Sequence, residues 1–232
     1  MQAIILAGGL GTRLKSVVTD KPKVLSPVAN KPFLQFIINY LLNNQVNNFI
    51  FSLGYLSNQI IDFLKNNYPN LNYQIAKEDT PLGTGGGIKN AMQLVTEENV
   101  LIINADTFFE VSLASMMQFH LQHNAHCTIA LKQMHHYDRY GTVMMNQQQS
   151  ITSFKEKTFT PNGLINGGYL IFNKSFYLQT TKHIATPFSY EKDVLEKSLQ
   201  VATIKGFISD GYFIDIGIPE DYLLAQEVFK NF

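Results

Sequence analysis

The apolar run Ala3-Ile4-Ile5-Leu6 breaks almost directly onto Gly8, Gly9 and Gly11, three glycines within four positions. The run has the length and branching of a fully buried strand. The glycines permit positive φ and remove the side chains that would hold an anion away from main-chain N–H groups. A turn built this way can wrap a polyphosphate in donors, and Arg13, two residues beyond the last glycine, adds charge where that anion would lie. Pro22 keeps Lys21 extended and so can aim Lys23 back over the same loop. The same glycines would also serve a tight connection that binds nothing. The spacing G-G-x-G-T-R is neither the dinucleotide pattern G-x-G-x-x-G nor the phosphate loop G-x-x-x-x-G-K-[ST], which sets aside a dehydrogenase and a common ATPase.

Downstream, Phe33, Phe36, Ile37, Tyr40 and Leu41 stand at helical spacing behind Pro32. Phe49 to Leu53 reads as a second buried strand, and Ile60, Ile61 and Leu64 mark a helix from about residue 58 to 67. Strands and helices alternating at this spacing are the sequence form of βαβ units on a mainly parallel sheet. A third strand, 72–76, runs into Glu78-Asp79-Thr80-Pro81-Leu82-Gly83-Thr84-Gly85-Gly86-Gly87, ahead of a helix starting near Ile88. Its glycines again imply either close backbone approach to a flat or charged ligand or a mobile surface loop.

The strand 99–104 leads to Asp106, at the edge where open α/β sheets bind ligands. A carboxylate there is the hard oxygen ligand that Mg²⁺ takes alongside phosphates and water, and equally a helix cap. Near the end of the chain Asp215 follows an apolar strand and precedes Gly217, so it could face Asp106 across the sheet edge, with Pro219 starting a closing helix. Ser189 is an N-cap for a helix opening at Tyr190-Glu191-Lys192-Asp193. His120, His123 and His126, at i, i+3, i+6, drift around a helix without converging, and read as structural or solvated side chains.

The 232 residues suffice for one large α/β domain. Lys+Arg and Asp+Glu are both 18, so no overall basic field exists to hold nucleic acid, and any anion site must be local. A single cysteine, Cys127 among apolar neighbours, excludes an internal disulfide and reads as a buried thiol. No apolar run approaches a membrane span and the first residues carry no signal-peptide pattern, so a cytoplasmic protein with no membrane partner is expected.

L-A-G-G-L-G-T-R-L followed by Pro22-Lys23 resembles the signature of the sugar-1-phosphate nucleotidylyltransferases, enzymes that join a nucleoside triphosphate to a sugar phosphate. The resemblance implies a single-domain Rossmann-like three-layer α/β sandwich, the glycosyltransferase-A-like nucleotidyltransferase fold, over residues 1–232. Its sheet would be mixed and mainly parallel, with a nucleotide-binding part at about 1–110 and a sugar-binding part at about 111–232. Leu6, Ala7, Gly8, Gly9, Gly11 and Thr12 would hold the triphosphate, Arg13 would support the leaving pyrophosphate, and Lys23 would contact the phosphates. P-L-G-T-G-G is similar to the segment under the nucleobase, which places Gly83 and Thr84 beside the base and Glu78 as a reader of its edge. Tyr140 and Gly141, in Arg139-Tyr140-Gly141-Thr142-Val143, and Asn166 and Gly167 would border the sugar. In Phe154-Lys155-Glu156-Lys157 the resemblance gives Glu156 to the sugar hydroxyls and Lys157 to the sugar phosphate, though such a triplet ordinarily reads as a solvated charge run. Asp106, in a variant N-A-D of the usual G-D, and Asp215, in a D-x-G-x-P-E-D-Y pattern, would carry Mg²⁺.

Across nearly the whole chain the segments G-T-G-G-x-I-K, L-K-Q-M, D-R-Y-G-T-V, L-I-N-G-G and Y-F-I-D-I-G-x-P-E-D-Y are most similar to the D-glycero-α-D-manno-heptose 1-phosphate guanylyltransferases. That implies GTP, a heptose 1-phosphate and a surface-glycan pathway. The alternatives are a hexose or N-acetylmuramate 1-phosphate uridylyltransferase, a mannose-1-phosphate guanylyltransferase, or a non-catalytic sugar-nucleotide sensor on the same scaffold. A homodimer is common among such proteins, and nothing in this sequence decides the oligomeric state.

Overall fold

The computed structural model describes residues 1–9 and 20–232. In chain order, β1 (Gln2–Leu6) is followed by a small ribbon of β2 (Pro27–Val28) and β3 (Lys31–Pro32), then α1 (Phe33–Asn43), β4 (Asn48–Leu53), α2 (Ser57–Asn67), β5 (Tyr73–Lys77) and α3 (Gly83–Ala91). Next come β6 (Asn99–Asn104), β7 (Thr107–Phe109), α4 (Leu113–Gln122), β8 (Cys127–Tyr137), β9 (Thr142–Met145), β10 (Ile151–Lys155) and β11 (Thr160–Asn173). The chain closes with α5 (Lys174–Thr180), a π-helical stretch Tyr190–Leu195 running into α6 (Glu196–Ser198), β12 (Ile204–Ile208), β13 (Phe213–Asp215) and α7 (Pro219–Val228).

One sheet organises these elements. β5, β4, β1 and β6 are parallel neighbours in that order, as the alternation of strand and helix requires. Beyond β6 the direction changes: β11 runs antiparallel to β6 and then pairs antiparallel with both β8 and β9. The sheet is therefore mixed, parallel in the first half of the chain and mainly antiparallel in the second. Its central strands alternate between two cores. Ala3 and Ile5, Leu101 and Ile103, and Tyr169 and Ile171 face one, with residues of α1, α2, α4 and α7; Ile4, Ile102 and Leu170 face the other, with Ile88 of α3 and Tyr177 of α5. Helices on both faces give three layers, as expected. Phe229, just past α7, meets Phe33, Phe36 and Phe108 edge-on and ties the closing helix to α1 and β7.

Two expectations change. α3 begins at Gly83, not near Ile88, so all four glycines lie inside the helix. They admit another part of the chain: Gly85 N donates to Phe188 O at 2.9 Å, Phe188 N donates to Leu82 O at 3.1 Å, and a Cβ on Gly85 would lie 2.4 Å from the Phe188 ring. Gly83 has φ +73, and a Cβ there would sit 2.5 Å from Phe188 O. Gly83, Gly85 and Gly86 thus approach the segment 186–190, whereas a Cβ on Gly87 would lie 2.7 Å from Glu78 Oε1. The second change is at residues 190–195, where the wider π turn replaces an ordinary helix start; Ser189 caps it as expected, accepting from Lys192 N at 3.4 Å. Cys127 is fully buried, with its thiol pushed well above the usual range by desolvation. His120 is also in the core, hydrogen-bonded by its two ring nitrogens to Thr128 and Asn99.

Candidate active site

The carboxyl ends of β1, β4 and β6 open onto a cavity of about 560 Å³. Main-chain bonds bring these ends level: Ala7 N donates to Ser52 O, and Ala105 N to Leu6 O. Leu6, Gly8, Gly9, Glu78, Gly83 and Thr84, all expected at the nucleotide, line this one cavity, while Ala7 is buried behind it. Gly11, Thr12 and Arg13 lie outside the described residues. Gly8 is held close to the next strand end, since a Cβ on it would come within 3.1 Å of Gly54 N. Among the described residues nothing lies within 4 Å of a Cβ built on Gly9, which borders the cavity. The Glu78 carboxylate is anchored at both oxygens, accepting from Ser52 Oγ at 3.1 Å and from Leu82 N at 3.1 Å.

A second cavity, of about 510 Å³, lies on the antiparallel side and shares Thr84, Asn104 and Asp106 with the first. Tyr140, Gly141, Glu156, Lys157 and Asn166 line it, and Asp215 is in its wall. Gly167 does not reach it. A Cβ there would strike the Phe109 ring at 2.4 Å, so this glycine faces inward, and its neighbour Gly168 borders the cavity instead. A shift in the β11–β8 register between Asn166 and Leu170 accompanies this change of face. Glu156 stands at the rim, its side chain 80% exposed and paired with Lys192 at 3.2 Å.

Asp106 and Asp215 come together through the short antiparallel pair β7–β13, whose register sets Asp215 opposite Thr107, and Ile216 N donates to Asp106 O at 3.0 Å. Lys23 Nζ lies between the carboxylates, 2.7 Å from Asp106 Oδ2 and 3.9 Å from Asp215 Oδ1, with its side chain only 10% exposed. Lys23 thus meets the acidic pair, where the resemblance gives it to the phosphates. Gly217 N donates to Asp215 Oδ1 at 2.6 Å, and a Cβ at this position would lie 2.7 Å from that oxygen and 3.2 Å from Lys23 Nζ. Two carboxylates close enough to share one ammonium are close enough to share one divalent cation. Among the described residues no cluster of three or more His, Cys, Asp or Glu could enclose a metal. A pair of carboxylates is a donor set that Mg²⁺ takes together with waters and substrate phosphates.

Sequence reasoning passed over Asn104, Tyr190 and Glu191. Tyr190 is buried, and its hydroxyl meets Asn104 and accepts from Asn166 Nδ2 at 3.3 Å; burial, then the Glu191 charge, pushes the phenol far above its usual range. Glu191 Oε1 accepts from the same amide at 2.9 Å. Asn104 was visible only as the first residue of N-A-D, and Tyr190 and Glu191 only through the N-cap at Ser189.

Residues 2–231 match the family model for nucleotidyl transferases. This chain belongs to the nucleotidyl transferase family. Within it, the chain is 45% identical to D-glycero-alpha-D-manno-heptose 1-phosphate guanylyltransferase of Aneurinibacillus thermoaerophilus, over 100% of both chains. It is 40% identical to the protein of the same description from Campylobacter jejuni, covering 96% of this chain and 97% of the other. The crystal structure of HddC from Yersinia pseudotuberculosis, also solved complexed with GMP-PN, superposes with a TM-score of 0.89 at 37% identity over 99% of each chain. The α/β nucleotidyltransferase fold is thereby shown for this family member.

Proposed function

We propose that this nucleotidyltransferase joins GTP and D-glycero-α-D-manno-heptose 1-phosphate to give GDP-heptose and pyrophosphate. One observation carries the reading: two cavities, one at the ends of parallel strands and one over antiparallel strands, meet at Thr84, Asn104 and Asp106 beside the Asp106–Asp215 pair. The full-length likeness to heptose 1-phosphate guanylyltransferases supports the choice of base and sugar.

The first cavity takes the nucleotide, with Gly8 and Gly9 letting the triphosphate approach the main chain and Glu78 facing the guanine edge. The second takes the sugar phosphate, between Tyr140, Glu156, Lys157 and Asn166. A phosphate oxygen of the sugar attacks the α-phosphorus of GTP, a new P–O bond forms, and the bond to pyrophosphate breaks. The attacking monoester is already anionic at neutral pH, since its second pKa is about 6, so no protein base is needed. Catalysis is then alignment and charge neutralisation. Mg²⁺, held by Asp106 and Asp215, supplies Lewis-acid neutralisation of phosphate charge when bound. With a cation on the two carboxylates, Lys23 would be released from them to meet the phosphates, while Arg13 would steady the pyrophosphate and Lys157 the sugar phosphate. The reaction belongs to the cytoplasm, where nucleoside triphosphates are supplied; among the described residues no helix is long and apolar enough to cross a membrane.

Pyrophosphate release tests the reading, with each of the four ribonucleotides and dTTP set against heptose, mannose, glucose and N-acetylmuramate 1-phosphates. GTP with the heptose 1-phosphate should give the highest kcat/KM. Preference for UTP or for a hexose would move the protein to another branch of the family, and no release with any pair would leave a sugar-nucleotide sensor.

A further inference from the structure

The family resemblance makes Asn166 a sugar contact, yet the protein itself engages this side chain. Nδ2 donates to Glu191 Oε1 at 2.9 Å and to the Tyr190 hydroxyl at 3.3 Å, while Oδ1 accepts from Gly168 N at 2.9 Å. A carboxamide has two N–H donors, and both are spent inside the wall of the second cavity.

Glu191 is placed differently. It is half-buried and lines the same cavity as Asp106, Asp215 and Lys157, and one of its oxygens is fixed by Asn166. Its Oε2 accepts no hydrogen bond among the described residues. The segment that carries it is held firmly. Tyr190 is 3% exposed, its backbone N lies 3.3 Å from Thr84 Oγ1, and its hydroxyl meets Asn104 and Asn166. The stretch Tyr190–Leu195 is π-helical, a widened turn that recurs at functional sites, and here two successive side chains, Tyr190 and Glu191, reach the same amide.

We propose that Glu191 is a sugar-specificity residue whose free carboxylate oxygen accepts a hydrogen bond from a hydroxyl of the sugar 1-phosphate, and that Asn166 is the positioning residue that aims it. The inference rests on the second cavity being the sugar-phosphate site. An ionised carboxylate makes a strong, charge-assisted hydrogen bond to a hydroxyl. A site built around such an acceptor rejects a sugar that lacks the matching hydroxyl, because the carboxylate is then desolvated without a partner.

Steady-state kinetics at saturating GTP test this with the wild type, Glu191→Gln, Glu191→Ala, Asn166→Ala and the double variant Asn166→Ala/Glu191→Ala. The sugars are the heptose 1-phosphate, mannose 1-phosphate and monodeoxy analogues of the better substrate. Glu191→Ala should raise the sugar KM about tenfold or more, keep the GTP KM within about twofold, and erase the wild type's discrimination against one deoxy analogue. Glu191→Gln should show the same pattern in weaker form. Asn166→Ala should raise the sugar KM as well, and the double variant should be no worse than Glu191→Ala alone, which a purely structural role would not produce. Melting curves of each variant identify any that fails to fold. An unchanged sugar KM in folded Glu191→Gln and Glu191→Ala, or deoxy discrimination that survives in both, overturns the proposal. A wild type that turns over no sugar phosphate overturns the reading of the cavity on which it rests, a result visible before any variant is made.

Discussion

The two halves of the sheet build their parts of the site in different ways. In the parallel half, β1, β4 and β6 all end at one edge, so the residues that follow each run fall beside one another: Gly8 and Gly9 after β1, Gly54 after β4 and Asp106 after β6. In the antiparallel half no shared edge exists. The second cavity is walled by residues from within the long strand β11, from the start of β9, from the turn after β10 and from the π-helical segment. A parallel edge can be found from where apolar runs stop; an antiparallel wall depends on register.

The largest effect should come from the seam between the halves. Asp106→Asn should lower kcat by about 1000-fold or more, roughly 4 kcal/mol of lost charge stabilisation, with the melting temperature little changed. Asp215→Asn should behave alike, although it reaches the seam from the far end of the chain. Near-normal turnover in either purified variant would separate the acidic pair from the chemistry.

His120 pins the halves together at the starts of β6 and β8, with Nδ1 2.8 Å from Thr128 on β8 and Nε2 3.0 Å from Asn99 on β6. Burial, then the nearby His126, lowers its pKa from 6.5 to about 4. The unfolded chain therefore binds a proton that the folded one refuses. Its contribution is fully present above about pH 6.5 and is lost as pH falls toward about 4, by up to about 3 kcal/mol. Urea unfolding at several pH values should show this slope in the wild type and a flatter one in His120→Gln. Equal slopes would mean that His120 does not control the acid side of stability.

Glycines sharpen the contrast. Gly85→Ala should cost about 1–3 kcal/mol in unfolding free energy, because the added methyl meets the Phe188 ring at 2.4 Å. A Cβ on Gly9 meets none of the described residues within 4 Å, so Gly9→Ala should leave stability within about 0.5 kcal/mol while raising the KM for GTP. The reverse pattern would reassign both glycines.

A last effect concerns Lys23. Replacing it with Met removes the ammonium that Asp106 and Asp215 share, so Mn²⁺ binding without nucleotide, followed by electron paramagnetic resonance, should tighten by about tenfold, or roughly 1.4 kcal/mol. Unchanged or weaker binding would show that Lys23 does not compete with the cation.

By itself the sequence determined the strand–helix alternation, the buried runs and the glycine turn at Gly8 and Gly9, because periodicity and backbone permission are local properties; the roles of the site residues came from the family resemblance of its motifs. That Asp106 and Asp215 stand at matching strand ends was legible for the same reason. Which side chains meet was decided only in three dimensions. The β7–β13 register brings two aspartates from distant parts of the chain onto Lys23, the packing of Phe188 claims Gly83 and Gly85 of α3, the shift within β11 turns Gly167 inward, and the π turn carries Tyr190 and Glu191 to Asn166. Each of these is a contact between segments far apart along the chain, so nothing in the local pattern could reveal it before the sheet was assembled.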